Sequence, residues 1–300
     1  MPADQIELRF GILLLLLLAV TWTLALRVRG GRAAPEPGRA LSQGLVYLAV
    51  YAACILPPAA LLVCIGFLGW QAIEEWFGAF RPSGASHGSR AVRGWLVLGA
   101  AAAPWIGYFG SRALRLEAAG LAAIGLAVGV SVAGIRAGRP ALIQPILASV
   151  ATVLALNAFV GLRLLPEGGR LCLFAFFMVN MADTSAYVFG KLFGRHRLAP
   201  TISPGKTVEG SIGSLVATVG AGFLFNQVLD LGFASLPLAG LAVALNLLGQ
   251  AGDLLTSGVK RRVGIKDFGV LIPGHGGVLD RFDSCLLAVP GFLLLVKICR

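Results

Sequence analysis

A chain of 300 residues in which 57% of side chains are hydrophobic and only 13% charged is too apolar for a soluble domain, where about 25% would be charged. Its net charge of +11 would suit nucleic acid in a soluble protein. Here the basic residues cluster at the ends of apolar runs, so anionic lipid headgroups or a phosphate-bearing substrate are the expected partners, and no nucleic acid.

Apolar runs near the roughly 20 residues that cross a bilayer occur at 10–26, 45–69, 94–109, 118–135, 141–162, 171–189, 211–229, 236–259 and 282–298. They predict an all-α, polytopic integral membrane protein of about nine transmembrane helices. The first run lacks a basic leader region and an A-x-A cleavage site, and reads as a retained anchor. In the second, Pro57 and Pro58 cannot donate backbone hydrogen bonds and should kink or split the helix. Cys54, Cys64, Cys172, Cys285 and Cys299 fall in or at the ends of these runs with no metal-ligand spacing, and read as packing residues.

Composition divides the chain near Gly168 within what should be one structural domain. Residues 1–168 supply scaffold helices, a lipid cavity and any homodimer contacts. Residues 169–300 form the functional half, with polar loops at 190–210 and 260–281. Two helices separate those loops, so both emerge on one face. A cytoplasmic N-terminus would place most lysines and arginines on that same side, which favours a cytoplasmic site.

The polar residues inside the helices form patterns. At about 100° per residue, Asn246, Gln250, Asp253, Ser257 and Lys260 share one stripe. Asn180, Asp183, Thr184 and Tyr187 form another, with Lys191 a turn beyond, and Asp280, Asp283 and Ser284 open the last helix. Asn157, Asn226 and Gln144 are expected to bond neighbouring helices. Carboxylates within a membrane cost several kcal/mol unless paired or metal-bound, so Asp183, Asp253, Asp280 and Asp283 call for a function. Clustered oxygen donors without a histidine or cysteine set favour Mg²⁺, which shares its shell with substrate phosphates.

The loops provide the anion-binding side. Lys191, Arg195, His196 and Arg197 form one basic stretch, and residues 203–210 (S-P-G-K-T-V-E-G) look like a turn feeding a helix start, where backbone N–H groups favour phosphate. Residues 273–277 (P-G-H-G-G) could wrap a phosphate through unobstructed amides, although His275 alone could equally be an ordinary loop histidine.

Together these residues resemble the phosphatidate cytidylyltransferase (CDP-diacylglycerol synthase) family. Its C-terminal signature is met by Ser257, Lys260, Arg261, Lys266, Asp267, Gly269, Pro273, His275, Gly276, Gly277, Asp280, Arg281 and Asp283. Upstream, Asp183 to Tyr187 with Gly190, Ser203 to Gly210, and Gly249 to Leu254 match in order. The N-terminal half matches only in kind. Glu74 and Glu75 are reminiscent of an interfacial family segment, and read equally well as a solvated helix end.

The resemblance implies transfer of a cytidylyl group from CTP to phosphatidate, giving CDP-diacylglycerol and pyrophosphate. It implies Mg²⁺ bound by Asp253 and Asp280 with Asp283 in or next to its shell, leaving room for a monovalent cation such as K⁺. Lys260, Arg261, Lys266, Asp267, His275, Arg281 and Asp283 would form the catalytic set. Asp183, Tyr187, Ser203, Lys206, Thr207, Glu209, Gln250, Ser257, Gly276 and Gly277 would bind substrate. The expected location is a bacterial inner membrane. A cytidylyl or phosphoryl transferase acting on isoprenoid or ether lipids is the nearest alternative, and a transporter with intramembrane carboxylates is one of another class.

Overall fold

A computed structural model describes residues 48–80, 87–110, 143–271 and 276–299. The expected helices at 10–26 and 118–135 lie outside the described residues, as does His275.

The second apolar run is divided at the proline pair. Helix occupies 48–55, the chain turns at Leu56 and Pro57, and α1 begins at Pro58 (Pro58–Phe80). Proline is tolerated at the first helical position, where its missing N–H would have no partner anyway. Next come α2 (His87–Gly110) and α3 (Ile143–Arg163). A tight turn, with Gly168 N donating to Leu165 O at 3.0 Å, leads into α4 (Gly168–Phe193).

A small antiparallel hairpin then interrupts the helices: β1 (Arg197–Ala199) pairs with β2 (Ser203–Thr207), with Arg197 opposite Thr207 and Ala199 opposite Ser203. The hairpin was not expected from the sequence, where a basic loop and a turn seemed sufficient. The Arg197 guanidinium, bonded to the Pro204 carbonyl, braces it. The chain continues through α5 (Val208–Val228), α6 (Ser235–Arg262), the short α7 (Leu279–Phe282) and α8 (Cys285–Cys299).

Among the described residues five helices are long and apolar enough to cross a membrane, namely α1, α3, α4, α5 and α6, while α8 is apolar but shorter. The protein is a helical, polytopic membrane protein. Trp95, Phe109, Val216 and Leu236 lie exposed on its outer surface, as expected where the solvent is acyl chain rather than water. Inside, Phe174 stacks on Phe292 and Phe177 on Phe225, tying α4 to α8 and α5. At 28 residues, α6 is about 42 Å long. That exceeds a hydrocarbon core of about 30 Å, so one end of the helix reaches the polar layer.

α4 and α5 cross closely. A Cβ at Gly210 would sit 2.6 Å from the Ala186 carbonyl oxygen and 3.0 Å from Gly190 Cα, so the crossing needs glycine. α5 is fastened to α6 by a buried polar ladder. Asn246 donates to Ser214 Oγ (3.1 Å) and Thr218 Oγ1 (2.9 Å), while Gln250 donates to Ser214 Oγ (3.1 Å) and Asn246 Oδ1 (2.5 Å) and accepts from Ser211 Oγ.

Asn157 and Asn226 do not bond neighbouring helices as expected. Asn157 donates to Val153 O one turn back, and Asn226 clasps the N–H and carbonyl of Phe233 in the turn before α6. Gln144 is exposed. A local backbone acceptor is always within reach of a short carboxamide, whereas a partner on the next helix depends on how the two helices pack.

Replacing Asn246 by alanine removes two interhelical hydrogen bonds. It should lower stability by about 1–2 kcal/mol, read as a drop in unfolding temperature of the detergent-solubilised protein.

Candidate active site

The C-terminal turns of α6 carry Asp253, Ser257 and Lys260, and three structures converge on them. The first is the hairpin. Lys206 on β2 reaches across to Asp253, Nζ to Oδ2 at 2.5 Å, and Arg261 Nε donates to Ile202 O at 3.2 Å. The two polar loops therefore do meet on one face, as their spacing in the chain required. Ser257 Oγ donates to the other Asp253 oxygen at 3.2 Å.

The second is the turn into α8. Lys260 Nζ lies 2.9 Å from Asp280 Oδ1 and 3.6 Å from Asp283 Oδ2, with side-chain exposures of 10%, 4% and 11% for the three. Its ammonium also sits 5.3 Å from the centre of the Phe268 ring. Charges this secluded persist because they are paired. Asp283 is further held by Ser284 N (2.8 Å) and Thr256 Oγ1 (3.4 Å).

The third is α4, where Asp183 accepts from Ser284 Oγ at 2.8 Å. Asp183, Asp253 and Asp283 lie within electrostatic reach of one another, and Lys206 and Lys260 supply the compensating positive charge. The three carboxylate-bearing helices inferred from the sequence thus come together in space.

Other expected site residues have structural partners. Thr207 is the N-cap of α5, accepting from Gly210 N at 3.1 Å. Glu209 accepts from the backbone N–H of Arg195 (2.9 Å) and His196 (3.2 Å) and pairs with His196 Nδ1 (2.6 Å), so it braces the entry to the hairpin. Gln250 spends its carboxamide on the α5–α6 ladder. Ser203 is half-buried on β2. Tyr187, Lys266 and Asp267 are exposed, and Arg281 is half-buried on α7.

Of the glycine-rich turn at 273–277, Gly276 and Gly277 are among the described residues, and the chain continues from them into α7. Its amides at Gly277, Val278 and Leu279 face carboxylates of the protein itself. Asp280 Oδ2 accepts from Gly277 N (2.9 Å) and Phe268 N (2.8 Å). Glu75 on α1 accepts from Val278 N (2.7 Å) and Leu279 N (2.8 Å). Gly276 has φ +83°, and a Cβ there would fall 2.7 Å from Asp280 Oδ2. A Cβ at Gly277 would run into the Glu75 carboxylate.

Glu75 is only 7% exposed, so its reading as a solvated helix end is overturned. Glu74 is half-buried and pairs with Arg93 Nη1 on α2 at 3.3 Å. Two adjacent glutamates differ because α1 turns one toward the bundle and the other outward.

The donor set suits a hard cation, since the carboxylates of Asp183, Asp253, Asp280 and Asp283 all offer oxygen. Among the described residues no three such side chains form a closed metal cage. Mg²⁺ does not require one, because it commonly takes one or two carboxylates and completes its shell with water and phosphate.

A match to the cytidylyltransferase family covers residues 38–299. The chain belongs to that family. Among its relatives are phosphatidate cytidylyltransferases of Staphylococcus saprophyticus, 45% identical over 133 residues, and of Staphylococcus aureus, 46% identical over 124 residues. Those alignments cover 44% and 41% of this chain, and 51% and 48% of the relatives, so about half the length of each relative is matched.

Lys260→Ala leaves Asp280 and Asp283 secluded without their cation. The expected cost is about 3 kcal/mol of stability, measured by thermal unfolding in detergent at neutral pH. Arg261→Ala, which removes one exposed hydrogen bond, should cost less than about 1 kcal/mol.

Proposed function

We propose that this protein transfers the cytidylyl group of CTP to the phosphate of phosphatidate, releasing pyrophosphate and forming CDP-diacylglycerol. The observation that carries the reading is the convergence of Asp183, Asp253 and Asp283 from separate helices beside Lys206 and Lys260 at the end of α6. The family membership and the names of the relatives agree with it.

The chemistry fits these groups. A phosphate monoester is already ionised near neutral pH, so its attack on the α-phosphorus of CTP needs no general base. The barrier lies in bringing two polyanions together and in the charge that develops on pyrophosphate. In this proposal Lys206, Lys260, Arg261, Lys266 and Arg281 hold the triphosphate and the lipid phosphate and align them. Asp267 and His275 flank that cluster in the chain, and Tyr187, Ser203, Ser257 and Gly276 border the substrate. Thr207, Glu209, Gln250 and Gly277 act indirectly, by fixing the hairpin, α5 and the glycine turn.

Mg²⁺ would be held by Asp253 and Asp280, with Asp283 in or next to its shell and Asp183 a further candidate on the facing helix. The ion supplies charge neutralisation on the phosphates and the leaving group. A K⁺ ion beside it, a homodimer, a bacterial cell membrane and a cytoplasm-facing site belong to the same proposal. Lys191 in the last turn of α4, Arg195 just before the hairpin and Arg197 on β1 suit the anionic headgroup layer there.

The deciding assay uses purified protein, CTP, phosphatidate and Mg²⁺. Label from the α-phosphate of CTP should enter the lipid, pyrophosphate should be released, and chelation by EDTA should stop both. Label entering the lipid from the γ-phosphate would replace this reading with a lipid kinase. Asp253→Asn, which keeps shape and removes charge, should lower turnover by about 100-fold or more while the protein elutes as wild type. Near-full activity of that variant would remove Asp253 from the metal site.

A further inference from the structure

Glu75 lies on α1, in the half of the chain expected to be scaffold, yet it is bonded to the turn that carries Asp280 and Asp283. Glu75 is buried, and it stands close enough to the buried Asp280 to feel that like charge. A glutamine or an apolar side chain of similar size would avoid the desolvation cost, but only the carboxylate offers an acceptor oxygen to each of the two amides.

What the charge does is hold backbone. Between them Glu75 and Asp280 take the N–H groups of Phe268, Gly277, Val278 and Leu279, two on each carboxylate. The amides held by Glu75 lie at the start of the four-residue α7, whose first turn has no internal acceptor for them. The turn is shaped to admit the carboxylate. A Cβ at Gly269 would sit 2.8 Å from Glu75 Oε1, and one at Gly277 would collide with both oxygens. Next to it Trp76 packs edge-on against Phe268, the ring under Lys260, and its indole N–H donates to Thr152 Oγ1 on α3 at 2.9 Å. α1 is thereby fixed on one side to the scaffold and on the other to the signature turn.

We propose that Glu75 is a positioning residue of the active site: by fixing the amides of Val278 and Leu279 it sets the direction in which Asp280 and Asp283 meet Lys260. The role in turnover rests on the cytidylyl-transfer reading above, while the hold on the turn does not.

The test compares wild type with Glu75→Gln and Glu75→Asp, full-length in detergent. Three quantities are read: hydrogen exchange of a peptide spanning 276–284, unfolding temperature, and kcat with KM for CTP and phosphatidate. Glutamine can offer only one acceptor oxygen. In Glu75→Gln exchange in this peptide should rise by about tenfold while peptides from α3 and α5 keep wild-type protection. kcat should fall by about 100-fold with KM for phosphatidate within about threefold of wild type. Glu75→Asp, a carboxylate pulled back by one methylene, should lie between.

Unchanged exchange in both variants overturns the proposal. So does raised exchange with kcat within about threefold of wild type, and so does failure of both variants to fold, which would make Glu75 a stability residue. If only Glu75→Gln fails to fold, Glu75→Asp is judged by the same criteria. A wild-type protein without cytidylyl transfer overturns the functional reading instead, and exchange at 276–284 then decides the hold on the turn alone.

Discussion

The ion group of Lys260 with Asp280 and Asp283 is the constraint around which the functional half is arranged. None of the three could be secluded alone, since an unpaired charge in such surroundings costs several kcal/mol. Together they link the end of α6 to α7 and to the start of α8. Their pairing also places Phe268 beneath the ammonium and brings the 263–271 loop back over the bundle. Lys206 and Asp253 repeat the device nearer the surface, and join the hairpin to the same helix.

Around that centre the polar residues divide into those that hold the framework and those that keep charge available. On α6 the division runs along one stripe. Asn246 and Gln250 are consumed by Ser211, Ser214 and Thr218 on α5, whereas Asp253 one turn further keeps an oxygen on Lys206 at the mouth of the site. Neutral amides can be fully satisfied by neighbouring helices, so they suit the interior. The Asp253 carboxylate keeps 23% of its surface accessible and takes a charged partner, Lys206.

The described part of the glycine turn is shaped by protein anions. Glu75 and Asp280 take up its amides and give it one shape. Backbone amides satisfied in advance gain rigidity.

Much was legible in the sequence. The apolar runs predicted membrane-spanning helices, the proline pair predicted a kink or a split, which falls at Leu56 and Pro57, and two intervening helices predicted that the loops at 190–210 and 260–281 share a face. Helical spacing also put Asp253 and Lys260 on one stripe. Those conclusions follow from periodicity and backbone hydrogen bonding, which act over a few residues. Which polar groups face each other across helices was decided only by tertiary packing. Spacing within one helix cannot distinguish Gln250 as a ladder rung from Asp253 as the partner of Lys206, nor buried Glu75 from its half-buried neighbour Glu74. The partners of Glu75 lie 203 and 204 residues along the chain, and only the docking of α1 brings them within hydrogen-bonding distance.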